Sequence, residues 1–245
     1  MKRCVMNKES CAAESGKKAR IRSMFDRIAP SYDRLNHLLS FGIDHGWRRR
    51  ATRRVAAAAP AAILDLAAGT GDWSLLLARR FPEARITGVD LSSEMLAAAR
   101  RKAERCGAAD RIRFEEGDAE RLAAADGTFD LVTVGFGVRN FTRLEQCLRE
   151  MHRVLRTGGT LAVLELSTPR NPLWRALYEF YAFRLLPLVG GAVSGDRGAY
   201  RYLPASVRAF HRPERFAELL REAGFRSVER ESFSGGIATL YIAKR

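Results

Sequence analysis

Residues 63–73 read ILDLAAGTGDW. A short apolar run that enters Gly-Thr-Gly and leaves as an amphipathic stretch is a strand, a tight turn and a helix, the first half of a β-α-β unit. The chain repeats this pattern. Ala62–Leu66 leads to a helix over Asp72–Phe81, and Ile86–Asp90 leads to a helix that Ser92 can cap and that runs to about Cys106. Ile112–Asp118 and Phe129–Gly137 read as the third and fourth strands, Leu144–Leu155 as a helix, Thr157-Gly158-Gly159 as a turn and Thr160–Leu166 as the fifth strand. Pro213 and Gly224 bracket a last helix, whose Phe216, Leu219, Leu220 and Ala223 share one face. Two more strands, Ser227–Ser232 and Ile237–Ala243, are joined by Ser234-Gly235-Gly236 with no helix between them. The expected fold is α/β, Rossmann-like, with a mostly parallel sheet that ends in an antiparallel hairpin.

The glycine turn restricts its ligand. A phosphate-binding loop needs Lys and Ser or Thr after its glycines, whereas Gly71-Asp72-Trp73 offers an acid. A dinucleotide fingerprint needs a third glycine, where Ser74 stands, and Asp72 sets a carboxylate where the pyrophosphate would lie. A cationic ligand without phosphate suits the loop, and S-adenosylmethionine, with its ammonium and sulfonium, meets that description. Gly69 and Gly71 let the backbone approach closely, and Asp65 adds a nearby carboxylate that suits the ligand's positive charges. Asp90, which ends the second strand, can accept both ribose hydroxyls. Asp118, followed by Ala119, ends the third strand, where an adenine amino group needs an acceptor. Three acids at the carboxyl ends of three successive strands converge on one crevice.

The 245 residues are 47% hydrophobic and carry a net charge of +14. Such a surface is either well solvated or drawn to nucleic acid, anionic lipid or an anionic substrate. Cys4, Cys11, Cys106 and Cys147 form no Cys-x-x-Cys pair, so neither a zinc site nor a disulfide framework is expected; a metal is not, and a reducing, cytoplasmic setting is. Residues 1–19 are polar and read as a disordered lead-in, not a signal peptide. Residues 20–245 read as a single domain, in which 20–58 form a helical N-terminal cap and 172–210 a helical insertion near the acceptor site. In the insertion Trp174, Leu177, Tyr178, Tyr181 and Leu185 follow one helical seam, while Phe180 and Phe183 make it apolar nearly all round. Such a helix is either buried core or one wall of a hydrophobic pocket or lipid-contacting surface.

The fourth strand runs into VGFGVRNF, Val134–Phe141, which lacks the Asn/Asp-Pro-Pro-aromatic signature of amino-directed nucleic-acid methyltransferases and the cysteine of cytosine-C5 enzymes. Nucleic acid is therefore not the expected partner. Met24–Arg49 (MFDRIAPSYDRLNHLLSFGIDHGWRR), Gly135–Asn140 (GFGVRN), Ser194–Phe210 (SGDRGAYRYLPASVRAF) and Gly235–Ala243 (GGIATLYIA) resemble the menaquinone/ubiquinone-biosynthesis C-methyltransferases, over nearly the whole chain from about Arg20. The resemblance implies the seven-stranded sheet of class I S-adenosylmethionine-dependent methyltransferases, a three-layer sandwich. It implies cofactor contacts at Thr70, Asp90, Asp118 and Ala119, and methylation of a ring carbon of a polyprenylated quinol, most often demethylmenaquinol to menaquinol. Gly135 departs from the family, many of whose members carry Ser there, and leaves only backbone for that contact. On chemical grounds Arg139 and Asn140 stand where a developing phenolate needs stabilising, Tyr32 is placed to contact the acceptor hydroxyl, and His37 is a candidate base. A lipid-tailed acceptor would bring the Arg-rich surface to an anionic membrane as a peripheral partner. A benzoquinol acceptor, an RNA or protein methyltransferase, a non-catalytic scaffold and a homodimer remain open alternatives.

Overall fold

The structure, a computed structural model, describes residues 8–188 and 197–245. Seven strands form one sheet: β1 (Ala62–Leu66), β2 (Arg85–Asp90), β3 (Ile112–Glu116), β4 (Phe129–Gly135), β5 (Leu155–Leu166), β6 (Ser227–Phe233) and β7 (Ala238–Lys244). Their order is β3-β2-β1-β4-β5-β7-β6. The first five run parallel, and β7 lies antiparallel between β5 and β6. The mostly parallel sheet with its antiparallel end is the one the alternating pattern predicts. The order reverses direction between β1 and β4, and a crevice opens at the carboxyl ends of the strands where the two halves part.

Helices α1 (Lys8–Ile28), α2 (Tyr32–Leu39) and α3 (Ile43–Arg54) precede the sheet; α4 (Asp72–Arg80), α5 (Ser93–Arg105) and α6 (Leu144–Val154) cross between parallel strands. α7 (Pro172–Phe180), α8 (Arg197–Ala209) and α9 (Pro213–Glu222) fill the connection from β5 to β6. Each central strand is buried on both faces, as parallel sheets require. One face packs Ile63, Leu131 and Leu164 against Trp47, Ala51, Leu77 and Leu96. The other packs Leu64, Val132 and Val163 against Leu148, Met151, Phe216 and Leu220. Ser92 caps α5 as expected, its hydroxyl accepting from the Met95 N–H at 3.1 Å.

Four local expectations change. Helix α1 begins at Lys8, so residues 8–19 are helical instead of a structureless lead-in; residues 1–7 lie outside the described residues. The polarity of that stretch hid good helix formers such as Ala, Glu and Lys, and Lys18 anchors it by ion pairs to Asp118 (2.6 Å) and Glu120 (2.5 Å). Helix α3 is a layer of the fold as well as part of the cap: Trp47 and Ala51 belong to the main core, and Trp47 Nε1 donates to Ser234 Oγ at 3.0 Å. Gly158 and Gly159 do not end an element. Strand β5 runs through them from Leu155, and its pairing with β4 shifts register between Phe129 and Leu131, as a glycine-bearing bulge does.

The insertion keeps to only one of its two readings, the pocket wall. α7 holds no buried residue, so it is not a core helix, and Leu173, Leu177 and Phe180 are exposed. Tyr181–Leu185 continue it as a π-helix, after which Leu186, not the seam residue Leu185, is buried. Residues 189–196 of the insertion lie outside the described residues.

Leu131 sits fully buried in the middle of β4, against the helical layer that contains α3 and α4. Replacing it with Ala leaves a cavity that close-packed neighbours fill only in part, and Leu131→Ala is expected to lower unfolding free energy by about 2–5 kcal/mol in denaturant titration.

Candidate active site

The turn after β1 is built from beneath. Asp65 points into the α3/α4 side of the sheet, fully buried, and accepts the Ser74 hydroxyl at 2.6 Å and the Thr133 hydroxyl at 2.6 Å. It thus ties β1 to the first turn of α4 and to β4 and lies under the crevice, off its wall. Burial pushes its carboxyl up to about 6, against the opposing hydrogen bonds from Ser74 and Thr133. Gly71, at φ 80°, turns the chain into α4, and a Cβ there would come within 2.9 Å of the Phe114 ring. Glycine is required on both counts.

The wall of the crevice includes Gly69, Asp90, Gly117, Asp118, Ala119, Gly135, Phe136 and Asn140. Asp90 Oδ2 accepts from the Gly69 N–H at 2.8 Å and Oδ1 from the Ser92 N–H at 2.9 Å. Burial raises its carboxyl against those backbone bonds. Each oxygen keeps a second lone pair, so a vicinal diol can still be received. Asp118 Oδ1 accepts from the Glu120 N–H at 2.9 Å, and Oδ2 carries the Lys18 ammonium. Of the sequence-derived cofactor residues, Gly69, Asp90, Asp118 and Ala119 stand on this wall. Asp65, Thr70 and Gly71 do not: Thr70 is buried and donates to Asp33 Oδ1 at 2.5 Å. Gly135 backs onto Trp73, whose ring carbon a Cβ would meet at 2.9 Å.

Sequence reading missed the supports supplied by α1, α2 and α5. Lys102 reaches from α5 to Asp33 at 2.8 Å and also pairs with Asp72 at the start of α4. Burial opposes ionisation of Asp72, but Lys102 and Arg48 outweigh it and hold its carboxyl below the usual range. Two three-residue groups, His37/Asp44/His45 and Asp33/His37/Asp72, bring potential ligand atoms close together, yet Arg48 and Lys102 already compensate their carboxylates.

A second cavity, of about 520 Å³, lies behind the crevice. Its lining is mostly apolar and includes Ile28, Leu39, Trp47, Leu177, Tyr178 and Leu186. Phe25, Tyr32 and Phe136 line both cavities, so the two meet there. Tyr32 is the first residue of α2; burial raises its phenol, while Arg139 and Arg48 oppose the shift. Arg139 lines the apolar cavity and pairs with buried Glu165 at 2.7 Å, donates to the Phe136 carbonyl, and reaches Ser206 Oγ at 3.2 Å. Asn140 faces the crevice, and its Oδ1 accepts from the Tyr202 hydroxyl at 3.0 Å. His37 lies just outside the cavity lining, with Nδ1 at 3.1 Å from Asp44 Oδ2.

A polar crevice at a topological switch point, joined to an apolar chamber, is shared by many enzymes. What decides between them is that residues 13–245 match the ubiE/COQ5 methyltransferase family. The chain belongs to that family. Among its relatives, a demethylmenaquinone methyltransferase of Thermus thermophilus is 49% identical over 222 residues, 91% of this chain and 100% of the relative. A ubiquinone/menaquinone biosynthesis C-methyltransferase of Geotalea uraniireducens is 44% identical over 233 residues, 95% of this chain and 98% of the relative. The solved structure of a SAM-dependent methyltransferase from Aquifex aeolicus superposes with a TM-score of 0.56 at 16% identity, covering 78% of this chain and 88% of that one, and supports the fold. The chain is accordingly a methyltransferase, with the fold and family of enzymes that use S-adenosylmethionine.

The Asp65 carboxyl binds its proton more tightly in the folded chain, at about 6, than in the unfolded chain, at about 4. Its contribution to stability is therefore full below about pH 4 and is lost as pH rises toward 6, a change on the order of 2 kcal/mol. Thermal midpoints of Asp65→Asn measured against pH are expected to lack this component of the wild-type curve.

Proposed function

We propose that this methyltransferase transfers a methyl group from S-adenosylmethionine to a ring carbon of a polyprenylated quinol, with demethylmenaquinol the foremost acceptor. The observation that carries the reading is the meeting of two unlike chambers at Phe25, Tyr32 and Phe136. A donor that is polar and cationic suits the crevice, with its carboxylates and backbone amides. An acceptor with an isoprenoid tail suits the apolar cavity. The names borne by relatives that match over nearly their full lengths support the same pairing.

The residues fit the donor. Asp90 would receive ribose hydroxyls, Asp118 the adenine amino group, and Gly69 with Ala119 would admit the ligand against bare or nearly bare backbone. Asp65, Thr70 and Gly71 would fix the turn from behind. Bound S-adenosylmethionine supplies an electrophilic methyl group on a sulfonium. The protein's part is to align the two reactants, which removes much of the barrier, and to steady charge on the acceptor oxygen. Arg139 holds a guanidinium on the cavity wall for that purpose, fixed by Glu165. Tyr32, at the junction, would contact the acceptor hydroxyl, and Asn140, oriented by Tyr202, would do so from the crevice side.

The cavity's rim supports a peripheral contact with the inner face of an anionic membrane. Phe41 is 77% exposed and Leu173 83% exposed, and Leu177, Phe180 and Leu188 are also largely exposed beside Arg175 and Arg184. Among the described residues no helix is long and apolar enough to cross a membrane. Apolar side chains ringed by arginines suit a bilayer interface. In liposome flotation the protein is expected to rise with anionic vesicles more than with neutral ones, and the pair Phe41→Ser with Leu177→Ser is expected to lose most of that binding.

Methyl transfer from labelled donor, offered reduced demethylmenaquinol, a reduced demethylated benzoquinol and bulk RNA in parallel, tests the reading. Label is expected in the naphthoquinol; label in RNA, or in no acceptor while the donor binds, overturns it. Asp90→Asn is expected to weaken donor binding about 10- to 100-fold in calorimetry, the cost of losing a charge-assisted hydrogen-bond acceptor.

A further inference from the structure

Ring methylation of a quinol releases one net proton, and on the quinol reading above that proton would be released inside an apolar cavity. Among the described titratable side chains lining that cavity, Arg48 and Arg139 are cations and Tyr32, Tyr178, Tyr181, Tyr200 and Tyr202 are phenols. Burial raises the phenols of Tyr32, Tyr181 and Tyr202 and pushes Tyr178 up to about 12. The remaining lining residue is Asp44, the one carboxylate among them. It is 5% exposed, and its oxygens are held by the Ser40 hydroxyl at 2.6 Å, by Arg48 and by His37.

His37 connects this buried carboxylate to water. Its Nδ1 lies 3.1 Å from Asp44 Oδ2, and its Nε2 lies 3.5 Å from Asp72 Oδ2. Its side chain is 27% exposed, and the exposed His45 ring stacks on it at 4.0 Å. The charged neighbours come from every element around it: Asp33 on α2, Asp44, His45 and Arg48 on α3, Asp72 on α4 and Lys102 on α5. An imidazole with one donor and one acceptor nitrogen can take a proton on one side and release one on the other.

We propose that Asp44 and His37 form the proton exit of the acceptor cavity, a role that rests on the quinol reading above. The acceptor O–H breaks as its proton moves to Asp44 Oδ2 and on to His37 Nδ1, while the Nε2 proton leaves to water; proton exchange with solvent returns the ring to its starting tautomer before the next turnover. The phenolate's electrons form the ring carbon–methyl bond, and the electrons of the broken sulfur–methyl bond stay on sulfur. The ring C–H proton is then lost as the ring regains aromaticity and replaces the one taken from oxygen. One proton per turnover has gone to solvent. Burial opposes ionisation of Asp44, but the bond from Ser40 and the Arg48 guanidinium outweigh it and hold its carboxyl below the usual range, so it stands ionised and passes a proton on to His37 without retaining it.

The test compares wild type, His37→Gln and Asp44→Asn on reduced demethylmenaquinol across pH, with and without imidazole, alongside donor affinity by calorimetry and thermal midpoints. Wild type is expected to show an acid-side fall of kcat; His37→Gln is expected to lower kcat roughly 10- to 100-fold with KM and donor affinity unchanged, to lack that fall, and to recover activity in imidazole. Asp44→Asn is expected to lose about 100-fold in kcat or more while still binding donor. An unchanged kcat and pH profile in His37→Gln, or a loss that imidazole does not restore, overturns the relay. Failure of wild type itself to methylate the quinol would sink the acceptor assignment, a result separable from failure of the variants alone.

Discussion

A single buried carboxylate holds the active end of the sheet together. Asp65 accepts one hydroxyl from α4 and one from β4, and so fixes the angle at which the chain leaves β1. The glycine turn sits on that clamp. From the turn follow the position of Gly69 against Asp90, the start of α4 at Asp72 and the contact of Trp73 with Gly135. The carboxylate is held almost without water, where a satisfied polar group rigidifies its surroundings and an unsatisfied one would be costly. The rest of the crevice inherits its geometry from this point.

The same helices that close the apolar cavity also complete the core. Trp47 packs against the sheet and against Phe136, at a centroid distance of 6.2 Å, while its indole binds the β6–β7 turn. Arg48, one residue on, stacks over Phe136 at 5.0 Å and pairs with Asp44. Aromatic and cationic partners on one ring fix it from two sides. Phe136 itself has a φ of 59°, a conformation uncommon for a bulky residue. The junction between the chambers is therefore held by packing from α3 as much as by its own strand.

Much of this was legible in the sequence because it is local. Strand and helix periods, the Ser92 cap, the Pro213 start and the glycine turn each depend on residues a few positions apart. Asp90 and Asp118 were readable for the same reason, since Asp90 ends β2 and Asp118 follows the end of β3 by two residues. The orientation of Asp65 was in principle readable too: Leu64 and Leu66 face one side of the sheet, so alternation sends Asp65 to the other, beneath the turn. What was not legible is long-range pairing. Lys18 with Asp118, Lys102 with Asp33, and Arg139 with Glu165 join residues distant in sequence and leave no periodic trace. The apolar cavity was visible only as an apolar helix that fitted either core or pocket wall.

The π-helical turn at Tyr181–Leu185 settles which of those two the insertion becomes. In an α-helix Tyr181 shares its face with Leu185, four residues on; here the inward position passes to Leu186, five residues on, and Leu185 is left 42% exposed. One extra residue in the turn rotates everything after it by about 100°. The stripe that would have run straight along a buried helix is re-phased, so that Leu186 is buried while Leu185, still on the chamber wall, is left open to solvent. A one-residue deletion in that turn would put Leu186 four residues after Tyr181, and an ordinary α-helical turn would then keep the two on one face. The extra residue opens the helix at one point without moving the wall on either side of it.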